Sequence, residues 1–89
     1  MVWMTSEELI LALAKRFKKI RVVKKVSQKQ LASMCNVSYA SLKRFEQTGE
    51  ISLHSLAKLC IGLDMYDEIN NIFSKSPYRD IKEVLQFER

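Results

Sequence analysis

From Ser38 to Gln47 the residue types recur with the spacing of a helix that has a chemical side and a packing side. With Leu42 and Phe45 turned inward, Tyr39, Ala40, Lys43, Arg44 and Gln47 share the opposite face through steps of three and four residues. That face offers two cations, an amphipathic ring and an amide, and it carries no acid. Such a set suits the major groove of a duplex, where an arginine can give two parallel N–H bonds to O6 and N7 of guanine. Ala40 has no hydrogen-bonding side chain, so it can meet a base only by apolar contact with a thymine methyl. Tyr39 admits two roles, a groove contact or a shield over the preceding turn.

The charge distribution points to the same kind of partner. The chain has 15 Lys and Arg against 10 Asp and Glu, a net charge of +5 over 89 residues. Ten of the basic and four of the acidic residues lie in positions 1–50, and eight basic side chains run from Lys15 to Lys29 without one acid. A one-sided field of this kind draws a polyanion; a solvated helix face is the plainer alternative.

Other chemistries find little support. His54 is the single histidine, too few for a His-based metal site of ordinary ligand number. No Ser–His–acid set, glycine-rich phosphate loop or pair of inward carboxylates follows from the spacing. A domain this small spends most of its apolar residues on one core, so an enzyme is disfavoured and no cofactor is expected. The longest apolar run, Leu9 to Ala14, is far short of the roughly 18–20 residues of a membrane span. It follows Glu7 and Glu8 rather than a basic stretch, unlike a secretory signal. Cys35 and Cys60 form no C-x-x-C pair and predict two reduced, packed thiols in a cytoplasmic protein.

The elements that must position the basic face announce themselves by a repeated signature. Four times an apolar residue precedes Ser or Thr, with Leu four residues after the hydroxyl: Met4-Thr5…Leu9, Val26-Ser27…Leu31, Val37-Ser38…Leu42 and Ile51-Ser52…Leu56. The hydroxyl caps a helix N-terminus, and the flanking apolar residues occupy the hydrophobic-staple positions. Thr5 with Glu8 and Ser27 with Gln30 complete capping boxes. The pattern predicts an all-α bundle with helices over 6–24, 28–34, 39–48, 53–62 and 66–73. Leu9, Leu13, Phe17 and Ile20 form the expected buried stripe of the first helix. Leu31 and Ala32, Leu42 and Phe45, then Leu56, Leu59 and Cys60 are the core contributions of the next three. Ile69, Ile72 and Phe73 are those of the fifth. Asn36 and Gly49 stand where left-handed backbone is expected.

The segment VSQKQLASMCNVSYASLKRFEQTG resembles the helix-turn-helix of the Xre/Cro family of bacterial and phage repressors, and ISLHSLAKLCIGLDM continues like that family's fourth helix and the start of its fifth. The resemblance covers roughly residues 9–73. It implies a five-helix phage-repressor-like DNA-binding domain over 1–75, with the helix-turn-helix unit at about 27–48 and a short extension at 76–89. The base-contacting positions of the family fall on Tyr39, Ala40 and Arg44, with Ser38 and Lys43 as neighbours for phosphates or flanking bases. Gln28 matches a glutamine that bonds a phosphate at a helix N-terminus, beside Lys29 of the basic run. Arg21 and Glu46 match a structural ion pair between the first and third helices. Lys25 stands where the family usually has Gly, leaving the last turn of the first helix open.

The stretch SLKRFEQTGEISLHSLAKL and the short tail are similar to HipB-type antitoxins, which accompany HipA-type kinase toxins and repress their shared operon. This similarity implies a homodimer on an operator inverted repeat in the bacterial cytoplasm, with a HipA-type kinase as a further partner. A free-standing phage-like or housekeeping repressor is the alternative within the class. A protein-interaction adaptor that has lost base reading is the alternative outside it. In the tail, Pro77 stops any helix, Asp80 and Glu83 suit a new cap, and Ile81, Val84 and Leu85 form a stripe. That stripe packs on its own domain or frays, or else, together with Trp3, it contacts a dimer or other partner.

Overall fold

The computed structural model describes residues 3–75, and among them every regular element is helical. The order is α1 (Ser6–Val23), α2 (Gln28–Cys35), α3 (Tyr39–Thr48), α4 (Leu53–Gly62) and α5 (Tyr66–Asn70). The expected C-terminal helix and its Ile81, Val84 and Leu85 stripe lie outside the described residues.

All four hydroxyl caps form. Thr5, Ser27, Ser38 and Ser52 each accept the backbone N–H of the third residue into the helix, at 3.0–3.1 Å. Glu8 and Gln30 return the bond to Thr5 and Ser27, completing both capping boxes. Because each cap uses only residues within one turn, these starts are set by local sequence.

Three helices end by one device. Lys25, Asn36 and Asp64 take left-handed φ of 60°, 54° and 60°. After each, the next N–H reaches back five residues: Val26 to the carbonyl of Arg21, Val37 to Ala32 and Met65 to Cys60. These are Schellman closures, with an apolar residue following the turn in every case. Asn36 and Gly49 (φ 86°) are the left-handed residues expected. The open end of α1 resolves the same way: Lys25 adopts the left-handed conformation at a cost of about 1–2 kcal/mol, and α1 stops at Val23.

α1 packs chiefly on α3, α2 on α3 and α4, and α5 on α4. The core is Ala14, Phe17, Leu31, Ala32, Val37, Leu42, Phe45, Leu59, Cys60 and Leu63. Phe17 and Phe45 meet edge to face with centroids 5.3 Å apart, joining α1 to α3. Cys35 and Cys60 are free thiols, and burial pushes both above the usual thiol range.

Two expected faces are corrected. The buried side of α1 is Ala14, Phe17 and Arg21 with Ile10 half-buried, while Leu9 and Leu13 remain 47% and 46% exposed. Phe17 is buried as expected and Ile20 is half-buried, but the N-terminal part of the stripe is turned by one residue, where α1 offers its backbone at Ile10 to Gly49. A Cβ on Gly49 would lie 2.5 Å from the Ile10 carbonyl carbon. The turn also brings Arg21, not an apolar side chain, to face α3. At the other end, α5 stops at Asn70 rather than reaching Phe73. It has no side-chain cap, and Phe73 itself takes φ 64°, so the chain turns away and leaves Ile72 and Phe73 exposed, with only Ile69 half-buried. Leu56 is likewise half-buried rather than fully enclosed, and Trp3 lies in solvent.

Candidate nucleic-acid interface

The basic face is built on a short rigid unit. α2 closes at Asn36, and two residues later Ser38 caps α3, so both helix ends at this turn satisfy their backbone groups locally. Leu42 and Phe45 pin α3 from below. Tyr39, Ala40, Lys43, Arg44 and Gln47 are all exposed, on the side away from those anchors. Ten residues of helix at about 1.5 Å per residue give a rod of roughly 15 Å, and its width matches a major groove about 12 Å across.

Besides the Phe17–Phe45 contact and the approach of Gly49 to Ile10, a buried polar cluster sets α3 against α1. Arg21 donates from Nε to Glu46 Oε2 at 2.6 Å and from Nη2 to Oε1 at 2.8 Å, a two-pronged bond, and from Nη1 to the Val26 carbonyl at 2.8 Å. The Glu46 carboxylate raises the Arg21 pKa further. Gln28 joins this cluster, its Nε2 donating to Glu46 Oε1 at 2.9 Å. The glutamine matched to a phosphate contact thus has a structural partner as well. Among the described residues no buried side-chain polar atom lacks a hydrogen bond.

Tyr39 is the centre of the charged surface. Lys29 of α2 and Lys43 of α3 bring their ammonium groups to 5.5 and 5.9 Å from its ring centroid. Each such contact is worth about 0.5–1 kcal/mol at an exposed site, enough to bias two long side chains toward one ring. The ring therefore gathers cations from both helices of the pair. Ser38 is less free: its hydroxyl caps α3 and donates to the Ser41 hydroxyl at 2.7 Å.

Two features were not evident from the sequence. Lys24, part of the basic run, donates its ammonium to the Leu63 carbonyl at the end of α4, where it serves packing. Glu50 pairs with Arg44 at the surface. The helix wheel of α3 omits Glu50 because it lies beyond Gly49; the left-handed turn there folds the chain back so that the carboxylate reaches the guanidinium. Thr48 supports the turn, its hydroxyl donating to the Arg44 carbonyl at 2.8 Å and accepting the Glu50 N–H at 3.1 Å.

Among the described residues an open concavity between α3 and the start of α4 is lined by Ser41, Arg44, Glu50, Ile51, Ser52 and Ser55. Among the described residues no group of three His, Cys, Asp or Glu side chains is placed to hold a metal. No helix among them is long and apolar enough to cross a membrane. Compared with known proteins, the chain matches no family model and no curated relative, so this face and the motifs that build it carry the functional reading.

Proposed function

We propose that the protein is a sequence-specific DNA-binding repressor, with α2 and α3 acting as a helix-turn-helix unit and α3 entering the major groove. The observation that carries this reading is the exposed face of Tyr39, Lys43, Arg44 and Gln47 beside Lys29, on a helix locked to α1 through Arg21 and Glu46. Arg44 is the base reader, by bidentate bonding to guanine, and Tyr39 and Ala40 are its neighbours on the groove floor. Lys29 and Lys43 take phosphates, and Gln28 adds an amide at the start of α2, where free N–H groups already favour an anion. The reading includes no catalytic step and no cofactor.

By its resemblance to repressors of this kind, the protein binds an operator inverted repeat as a homodimer, with half-sites about 34–36 Å apart. The likeness of residues 41–59 and the tail to HipB-type antitoxins supports a role as antitoxin and autoregulator beside a HipA-type kinase toxin in a bacterial cytoplasm. A kinase-like coding sequence next to this one is the expected neighbour.

The experiment is a duplex titration by fluorescence anisotropy at several salt concentrations. Arg44→Ala is expected to lose about 1–3 kcal/mol on a selected duplex and to relax preference at one base pair. Lys29→Ala is expected to weaken selected and random duplexes alike and to flatten the salt dependence. No binding to any duplex at low salt would overturn the reading. It would favour a protein-interaction adaptor, which the exposed Leu9 and Leu13 side of α1 would serve.

A further inference from the structure

An acid in contact with the residue that reads a base needs an account. Glu50 is the only carboxylate that bonds a side chain of the α3 outer face among the described residues, and both it and Arg44 are exposed. Nothing in the core requires it there. The buried ion pair of the fold is Arg21 with Glu46, and the α3–α4 turn is closed by Gly49 and by Thr48 hydroxyl bonds to backbone.

We propose that Glu50 is a specificity-determining latch on Arg44, which suppresses binding to non-cognate duplex while leaving guanine recognition intact. The inference rests on the DNA-binding reading and deepens it. A free arginine on this face would take any phosphate, which raises affinity for every sequence equally. Held by Glu50 through Nη2, the guanidinium is neutralised as a point charge and gains less from a phosphate. A phosphate moving onto Arg44 must also approach the carboxylate. Guanine imposes neither penalty, because its O6 and N7 are uncharged acceptors, and a guanidinium bonded on one side keeps another pair of N–H donors free. The carboxylate also holds a long side chain in one orientation before the base arrives, which lowers the ordering cost of that contact. Glu50 acts through Arg44, so it is a positioning residue.

The test compares wild type, Glu50→Gln and Glu50→Asp on two probes: a duplex recovered by the wild-type protein from a randomised pool, and an unrelated duplex of equal length. An exposed pair is worth up to about a factor of five. Glu50→Gln is therefore expected to tighten the unrelated duplex by up to about fivefold and to steepen its log–log salt slope by about 1, the contribution of one added phosphate contact. The selected duplex should change by less than twofold, so the selectivity ratio falls. Glu50→Asp keeps the charge but is one methylene too short to hold the same contact, and it should lose most of the selectivity as well. In an Arg44→Ala background, Glu50→Gln should leave the ratio within twofold. Equal tightening of both duplexes, or an aspartate variant that behaves as wild type, would show a general charge effect and overturn the latch. Failure of the wild type to select or bind any duplex would overturn the DNA-binding reading itself, a result distinct from the first two. Because Glu50 is exposed and outside the core, all variants should share the melting temperature of the wild type.

Discussion

Removing the Glu46 carboxylate tests the cluster that aims α3. Arg21 and Glu46 are both nearly inaccessible, at 7% and 6% exposure. In Glu46→Ala the guanidinium loses its bonds at 2.6 and 2.8 Å, Gln28 loses its bond at 2.9 Å, and only the Val26 carbonyl remains for Arg21. Breaking a buried pair from one side costs about 3–5 kcal/mol, because the surviving charge stays desolvated. That is a large share of the roughly 5–10 kcal/mol expected for a domain of this size. Glu46→Gln keeps the shape and one acceptor oxygen and should fall between wild type and Glu46→Ala. Replacing both partners, Arg21→Met with Glu46→Leu, removes the unpaired charge and should restore stability to within about 1 kcal/mol of wild type. Urea unfolding followed by circular dichroism gives all four values. A Glu46→Ala loss under about 1 kcal/mol would mean that the pair does not hold α1 to α3, and the orientation argument would fail with it.

Three further outcomes follow from particular contacts. Gly49→Ala forces a Cβ to within 2.5–2.7 Å of Ile10 at a left-handed φ, so thermal unfolding should reveal a loss of about 2–4 kcal/mol, whereas a neutral effect would contradict the close approach of α1 and α3. Lys25→Gly relieves a left-handed lysine and should raise stability by up to about 1 kcal/mol after the added freedom of the unfolded chain; a loss would show that α1 ends differently. Bonds to the Thr5 backbone and hydroxyl hold the Glu8 carboxyl below its ordinary value of 4.5. Because the folded value is the lower one, the stabilisation is present above about pH 4.5 and is lost as the pH falls through the folded pKa. Glu8→Gln, which keeps an acceptor as Gln30 does in α2, should therefore flatten the acid side of the stability profile, and an unchanged profile would contradict the capping role.

What the sequence disclosed divides by range. The four helix starts and the left-handed Asn36 and Gly49 were legible because each depends on residues within about one turn. The bounds of α3 and α4 were legible for the same reason. The outward face of α3 was legible because Leu42 and Phe45 are unambiguous anchors. The buried face of α1 was not. Its periodicity admits two stripes that share Phe17 and otherwise lie one residue apart, and the one that wins contains Arg21, a residue that hydropathy assigns to solvent. Only the matching acid on α3 makes that position internal, and the match came from resemblance rather than pattern. The end of α5 was not legible, because Ile72 and Phe73 continue an apolar spacing past the point where the backbone reverses. The Glu50 contact with Arg44 was not legible, because a helix wheel stops at the cap and the contact exists only after the chain has turned.

The most direct test of the central claim is a backbone amide chemical-shift map of the isotope-labelled protein, titrated with its selected duplex. The outward face of α3 is expected to show the largest changes, over Ser38 to Gln47 with Gln28 and Lys29, while α5 stays unchanged. Shifts concentrated on the Leu9 and Leu13 side of α1, with Tyr39 to Gln47 unmoved, would contradict the account.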